Sequence, residues 1–184
     1  MVAPAANPDV QRLQNLSRWL AAMCSLLIVA LPVAVFAYWA LADVAEVTLR
    51  AGLSSLAVTA PPQAWQRIAG ALITQVPLAL LLLGLWQARQ CFKLFSAGQI
   101  FTARAVRFLR RFAGWVAASV AAGIVAQSAI SVVLTLHNPP GLRHLAISLG
   151  SDQLFMLFFA GLVWLMAAVI GHGQTLAEEN ASFV

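Results

Sequence analysis

The sequence predicts an all-α membrane protein that crosses a bilayer four times, and three observations support this fold class. Of the 184 residues, 61% are hydrophobic and 9% are charged, whereas an average soluble domain has about 25% charged residues. Four apolar runs approach or exceed the ~20 residues with which a helix crosses the hydrocarbon core. The basic residues are gathered beside these runs instead of being spread along the chain.

The four predicted spans divide the chain into one membrane domain and several shorter segments. The first run, Trp19 to Leu41, has no charged residue, and it exceeds the about 7 to 15 residues of a signal-peptide core, so we expect it to stay as an anchor. Pro32 and Pro77 lie inside the first two spans, where a kink is expected. The spans cover about residues 19–41, 68–86, 112–136 and 153–173. Around them lie an N-terminal segment 1–18, an outward loop 42–67, a connector 87–111 and a tail 174–184.

The distribution of basic residues predicts the orientation. Eight of the eleven Lys and Arg residues lie in the N-terminal segment and the connector or at their borders, whereas Arg50, Arg67 and Arg143 lie in the two other loops. Lys and Arg accumulate on the cytoplasmic side of bacterial membrane proteins. Both termini and the connector are therefore predicted to be cytoplasmic, in a multi-pass membrane protein. The segment 42–67 reads as one or two short surface helices on the other side, ending at Pro61 and Pro62.

The connector predicts an amphipathic helix. Gly98 marks a turn, and Thr102 is a suitable N-cap for a helix that starts at Ala103. At about 100° per residue, one side collects basic residues and the other collects apolar ones. The basic side consists of Arg104, Arg107, Arg110 and Arg111. Such a helix either lies at the membrane surface among anionic lipid headgroups or runs directly into the third span. Nucleic acid is not expected to bind directly, because no nucleic-acid-binding motif accompanies the charge.

Two stretches resemble a known family. The connector "CFKLFSAGQIFTARAVRFLRRFAGW" and the tail "GHGQTLAEENASFV" are similar to the bacterial membrane family called domain of unknown function 2975. Its members have four spans, a comparable connector and a tail with an acidic pair. The likeness extends from about Trp19 to the end of the chain. It implies an inner-membrane protein, often encoded beside a small helix-turn-helix regulator, and it supplies no catalytic residues.

No catalytic, cofactor or metal motif is apparent in the sequence. Nucleophile-elbow, zinc-protease, P-loop and dinucleotide-binding patterns are all missing. His137 and His144 share a loop, but two ligands without a third seldom form a metal site. His172 is expected at the cytoplasmic interface. Cys24 and Cys91 are interpreted as buried, inert thiols. We therefore expect a protein that is not an enzyme and has no cofactor.

Polar and small residues inside the spans predict helix packing. Gln75 and Gln127 are predicted at nearly equal depth on the second and third spans, so we expect an interhelical contact between their carboxamides, with ligand recognition as the alternative. Small residues recur every four positions on the third span and again at Ala167 and Gly171 on the fourth. This pattern favours close packing of the two helices within one chain, and a seam between copies in a homo-oligomer is the alternative.

The tail carries Glu178 and Glu179 about two turns after the fourth span. An ion pair between this tail and the connector arginines would form a latch that a cytoplasmic partner could release, and solvated acids are the alternative. The favoured function is a sensor, or a membrane partner of a cytoplasmic regulatory protein. The alternative is a small transporter or channel subunit, which requires a polar cavity around Gln75 and Gln127.

Overall fold

Four long α-helices form the described part of the chain. The computed structural model describes residues 8–41, 63–99, 102–136 and 150–182. For residues 8–10 and 174–182 it describes the backbone only. The helices are α1 (Pro8–Leu41), α2 (Ala64–Ser96), α3 (Ala103–Thr135) and α4 (Ser151–Ser182). No strand occurs within these ranges. The predicted all-α class is confirmed. The loop helices predicted in 42–67 fall almost entirely outside the described residues.

Each helix contains a stretch that is long and apolar enough to cross a membrane. These stretches are Gln11–Leu41, Ala64–Ser96, Ala103–Thr135 and Ser151–Gly173. At 1.5 Å per residue, the 33 residues of α2 extend about 50 Å, which is more than the ~30 Å hydrocarbon core. Each helix is therefore longer than the span predicted from the sequence. Pro32 and Pro77 both lie inside continuous helices.

The amphipathic connector helix is not a separate element. Ala103 starts α3, as the sequence predicted, and the helix continues without a break to Thr135. The hydroxyl of Thr102 accepts a hydrogen bond from the Ala105 amide at 3.2 Å, which is the expected N-cap interaction. Gly98 has a φ of +77° in the turn that precedes it. The arginine segment is thus the first part of α3 itself, which was the alternative expectation.

The chain divides into two compact units, each built from parts of the helices. We call the first the connector unit: Met1–Ile28, Leu82–Trp115 and Phe158–Val184. Small side chains dominate its described core, including Ala105, Ala113 and Ala167. A Cβ placed on Gly84 would lie 3.3 Å from Cβ of Trp115, so α2 and α3 approach each other closely here. The thiol of Cys91 donates a long contact, 3.8 Å, to the Ala105 carbonyl.

The second compact unit, which we call the loop unit, consists of Val29–Leu81 and Val116–Leu157. Ser119 of α3 donates a hydrogen bond of 2.8 Å to the Pro77 carbonyl of α2. Ser131 and Thr135 are buried, and their hydroxyls bond to carbonyls one turn earlier in α3. Each of these hydroxyl protons is therefore donated to a carbonyl of the same helix.

Large apolar side chains cover the outside of α1 and α4. Only 11% of the apolar stretch is buried in each of these helices, against 22% in α2. Exposed residues of α4 include Phe155, Phe158, Trp164 and Leu165. Lipid tails are as apolar as these side chains, so such a surface is stable in a bilayer without a protein partner. The exposure pattern agrees with the membrane class predicted from composition.

Candidate functional site

The four connector arginines form one exposed surface on α3, which we call the arginine face. Arg104, Arg107, Arg110 and Arg111 are all exposed, whereas Ala105, Val106 and Ala113 are buried on the opposite side. No carboxylate occurs among the described side chains of the connector unit. Within that described part, the arginine charges have no acidic neighbour to neutralise them. The face can therefore attract an anionic surface.

Arg110 differs from the other three arginines in its contact with α4. A Cβ placed on Gly171 would lie 3.3 Å from Nη2 of Arg110 and 3.5 Å from Cγ1 of Val106. The small residue at 171 lets the side chains of Arg110 and Val106 pack against α4 at this point. In the sequence, the four arginines are equivalent members of one helical side. The contact with α4 distinguishes Arg110 from the other three.

The predicted tail latch involves side chains outside the described set. The backbone of α4 is helical through Ser182, so the tail does continue as a helix beyond Gly173. The side chains of Glu178 and Glu179 lie within 174–182 and are not described. Their ion pair with the arginine face stays a prediction.

Arg89 contacts the aromatic ring of Trp86, and this contact was not predicted from the sequence. Its guanidinium carbon lies 5.3 Å from the centre of the Trp86 ring, within the range of a cation–π interaction. Its Nε atom is buried and has no hydrogen-bond partner among the described residues. Their spacing of three places both residues on one side of α2, which is the sequence signal for this pair.

Trp39 occupies the centre of the loop unit's packing. The side chain is only 6% exposed. Its Nε1 donates a 3.2 Å hydrogen bond to the Thr74 hydroxyl, which donates to the Gly70 carbonyl at 2.7 Å. The ring covers Gly70 so closely that a Cβ there would overlap it. Only a residue without a side chain therefore fits at position 70 beside this ring.

Two adjacent residues at the start of α2 bind the ends of two other helices. Gln66 is buried and donates from Nε2 to the Val133 carbonyl near the end of α3, at 2.9 Å. Its Oε1 accepts from the Gln63 amide at 2.8 Å. Arg67 donates to the carbonyls of Trp39 and Ala40 at 3.4 Å each. These are terminal carbonyls that lack partners within their own helices.

A cavity of about 510 Å³ lies within the loop unit between α1, α2 and α3. Gln127 contributes to its wall, together with Tyr38, Trp39 and Thr74. The Nε2 atom of Gln75 is buried and has no hydrogen-bond partner among the described residues. The predicted contact between the two carboxamides stays a prediction.

The described residues contain no cluster of three His, Cys, Asp or Glu residues that could hold a metal ion. Cys24 and Cys91 are both buried, free thiols. His172 is exposed on α4. His137 and His144 lie outside the described ranges.

A family comparison identifies the relatives of this chain. Residues 51–184 match the model of the family described as protein of unknown function DUF2975. The match includes α2, α3, α4 and both stretches that carried the resemblance, and it starts after α1. No curated protein and no solved structure matches the chain. Because the match covers well over half of the sequence, the chain belongs to the DUF2975 family.

Proposed function

We propose that the chain is a non-enzymatic protein of the bacterial inner membrane that holds a cytoplasmic regulatory protein at the membrane surface. The observation that carries this proposal is the arginine face, four exposed guanidinium groups in a unit without a described carboxylate. Opposite charges steer partners into contact and set their orientation. The partner therefore presents an acidic surface.

The membrane itself competes for the same arginines. Anionic headgroups attract basic residues by about 1 kcal/mol for each Lys or Arg near the surface. Both lipid phosphates and protein carboxylates can form bidentate pairs with guanidinium groups, but only a folded partner holds several carboxylates in fixed positions that can match the arginine face. The family resemblance suggests a helix-turn-helix regulator encoded nearby as the first partner to test.

The proposed orientation predicts the result of reporter fusions. The inner-membrane topology places Gly98 and Val184 in the cytoplasm and Ser55 outside, because the basic residues gather on the cytoplasmic side. A cytoplasm-active reporter such as β-galactosidase should be active after Gly98 and Val184. An export-active alkaline phosphatase should be active after Ser55. Phosphatase activity after Gly98 would contradict the proposed topology, and with it the proposal that the arginine face binds a cytoplasmic protein.

Neutralising the arginine face should weaken partner capture. The variant R104Q/R107Q removes two exposed charges on one helical side, and we expect about a tenfold loss in affinity, since each charged contact contributes about 0.5 to 1 kcal/mol. The measurement is titration of the purified regulator against the full chain in phosphatidylcholine nanodiscs.

R12Q/R18Q is the matched control, because Arg12 and Arg18 are also exposed, lie in the connector unit and carry the same total charge. This variant should bind the regulator nearly as well as the native chain. An equal loss in both variants would indicate that only net charge matters. Unchanged binding by R104Q/R107Q would reject the arginine face as the docking surface.

A transporter or channel subunit is the second candidate function. The loop-unit cavity favours it, because Gln127 supplies a polar group to a cavity between membrane helices. A channel would give discrete conductance steps in planar bilayers, and these steps should change in Q127L. A silent bilayer together with regulator binding favours the tether.

A further inference from the structure

The loop-unit cavity has the size and chemistry of a small-molecule site. Its volume of about 510 Å³ falls within the range of about 300–1,000 Å³ that is typical of ligand pockets. Side chains of α1, α2 and α3 form the wall, and none of them carries a charge. The cavity is partly open instead of being sealed. A small ligand can therefore enter it.

Small residues keep this space empty. A Cβ placed on Gly123 would lie 4.0 Å from Cβ of Pro77, which is ordinary contact and leaves room for a side chain. The Ser119 hydroxyl bonds to the Pro77 carbonyl at 2.8 Å and holds α2 and α3 together one turn away. The helices are thus fixed beside the cavity, and they do not close it.

The polar groups of the wall define what the occupant must carry. The Trp39 indole N–H and the Thr74 hydroxyl proton are already used within the protein. Gln127 has a carboxamide with two N–H donors and an acceptor oxygen, so it can serve a ligand in addition to a protein group. One polar group on an otherwise apolar ligand can be matched here. A charged group would lose its hydration with no opposite charge in the wall to replace it.

We propose that this cavity binds a neutral, lipid-soluble molecule that has a ring-shaped apolar body and one hydroxyl or carbonyl group. The body packs against Trp39 and Tyr38, and the polar group bonds to the Gln127 carboxamide. The ordinary acyl chain of a membrane lipid fits this description less well, because it brings no polar group to that depth. The proposal is independent of the cytoplasmic tether.

The test uses the full chain in phosphatidylcholine nanodiscs and the neutral fluorescent probe 1-aminoanthracene. Probe binding should saturate, and 2-naphthol should displace the probe. Naphthalene, which lacks the hydroxyl, should compete about five- to tenfold less well, the cost of about one hydrogen bond. The anion 2-naphthoate has the same ring and should compete least of all. Empty nanodiscs correct for partition into lipid.

Two variants assign the binding to the cavity. G123L fills the space and should weaken probe binding at least about tenfold, because the ligand and the new side chain exclude each other. A121L is the matched control, since Ala121 is exposed on the same helix, and it should bind the probe normally. Q127L adds no bulk, and it should remove the preference for 2-naphthol over naphthalene.

Several results would overturn the proposal. Equal competition by 2-naphthoate and 2-naphthol would contradict a neutral ligand. A retained naphthol preference in Q127L would remove Gln127 from the site. Normal probe binding by folded G123L would place the probe elsewhere, on lipid or on the exposed helix faces. Circular dichroism shows whether G123L folds, and if it does not, Q127L decides the assignment.

Discussion

Gly70→Ala is expected to lower the free energy of unfolding by about 2 kcal/mol. The new methyl group would overlap the ring of Trp39, and such overpacking costs about 1–3 kcal/mol. Moving the ring also strains the hydrogen bond from Trp39 to Thr74, worth about 1 kcal/mol. The higher helix propensity of alanine returns about 1 kcal/mol. The measurement is SDS-induced unfolding in mixed micelles, followed by far-UV circular dichroism.

Gly114→Ala is the matched control for this substitution. Gly114 also lies inside a helix, but nothing would contact an added Cβ within 4 Å, so the control should be neutral or slightly stabilising. The double variant W39L/G70A should be no less stable than W39L alone, because the clashing ring is gone. A persistent cost of Gly70→Ala in the W39L background would show that Trp39 is not the cause.

Gln66→Leu is expected to destabilise the chain by about 3 kcal/mol. The buried carboxamide serves the Gln63 amide at the start of α2 and the Val133 carbonyl near the end of α3. Leucine removes the cap of the exposed residue Gln63, at about 1 kcal/mol, and leaves the Val133 carbonyl without this partner, for which a buried unsatisfied group costs about 1–3 kcal/mol. The same SDS titration measures the loss.

Gln153→Leu separates the two contributions of Gln66. Gln153 accepts a bond from the Gly150 amide at 2.9 Å, which repeats the local contact of Gln66 with Gln63, and no bond to another helix is described for it. Its loss should cost about 1 kcal/mol, as for an ordinary helix cap. Equal losses in the two variants would mean that the bond to Val133 adds no stability.

The sequence predicted the features that depend on local composition and spacing. Long apolar runs gave four helices, because a chain in lipid must satisfy its backbone polar groups internally. Thr102 and Gly98 gave the start of α3, because a cap and a positive φ are short-range properties. Arginines three and four residues apart gave one exposed side of α3.

Features that depend on contacts between distant segments were missed. Trp39 packs against Gly70, and nothing near either residue in the sequence indicates this contact. Gln66 and Arg67 looked like loop residues, yet they bond to carbonyls 67 and 27 or 28 residues away. Gln127 was singled out for its polarity, but the cavity beside it arises from small residues on separate helices. Helical periodicity identifies a face, and only the packed structure identifies its neighbour.

The bonds from Arg67 to the end of α1 bear on how many residues can connect α1 and α2. They hold the end of α1 beside the start of α2, the two points that segment 42–62 connects. The entropic cost of bringing two points of a chain together rises by only about 0.6 kcal/mol for each doubling of the length between them, which is less than the stability expected from Gln66 alone. We therefore expect residues added between α1 and α2 to cost little stability.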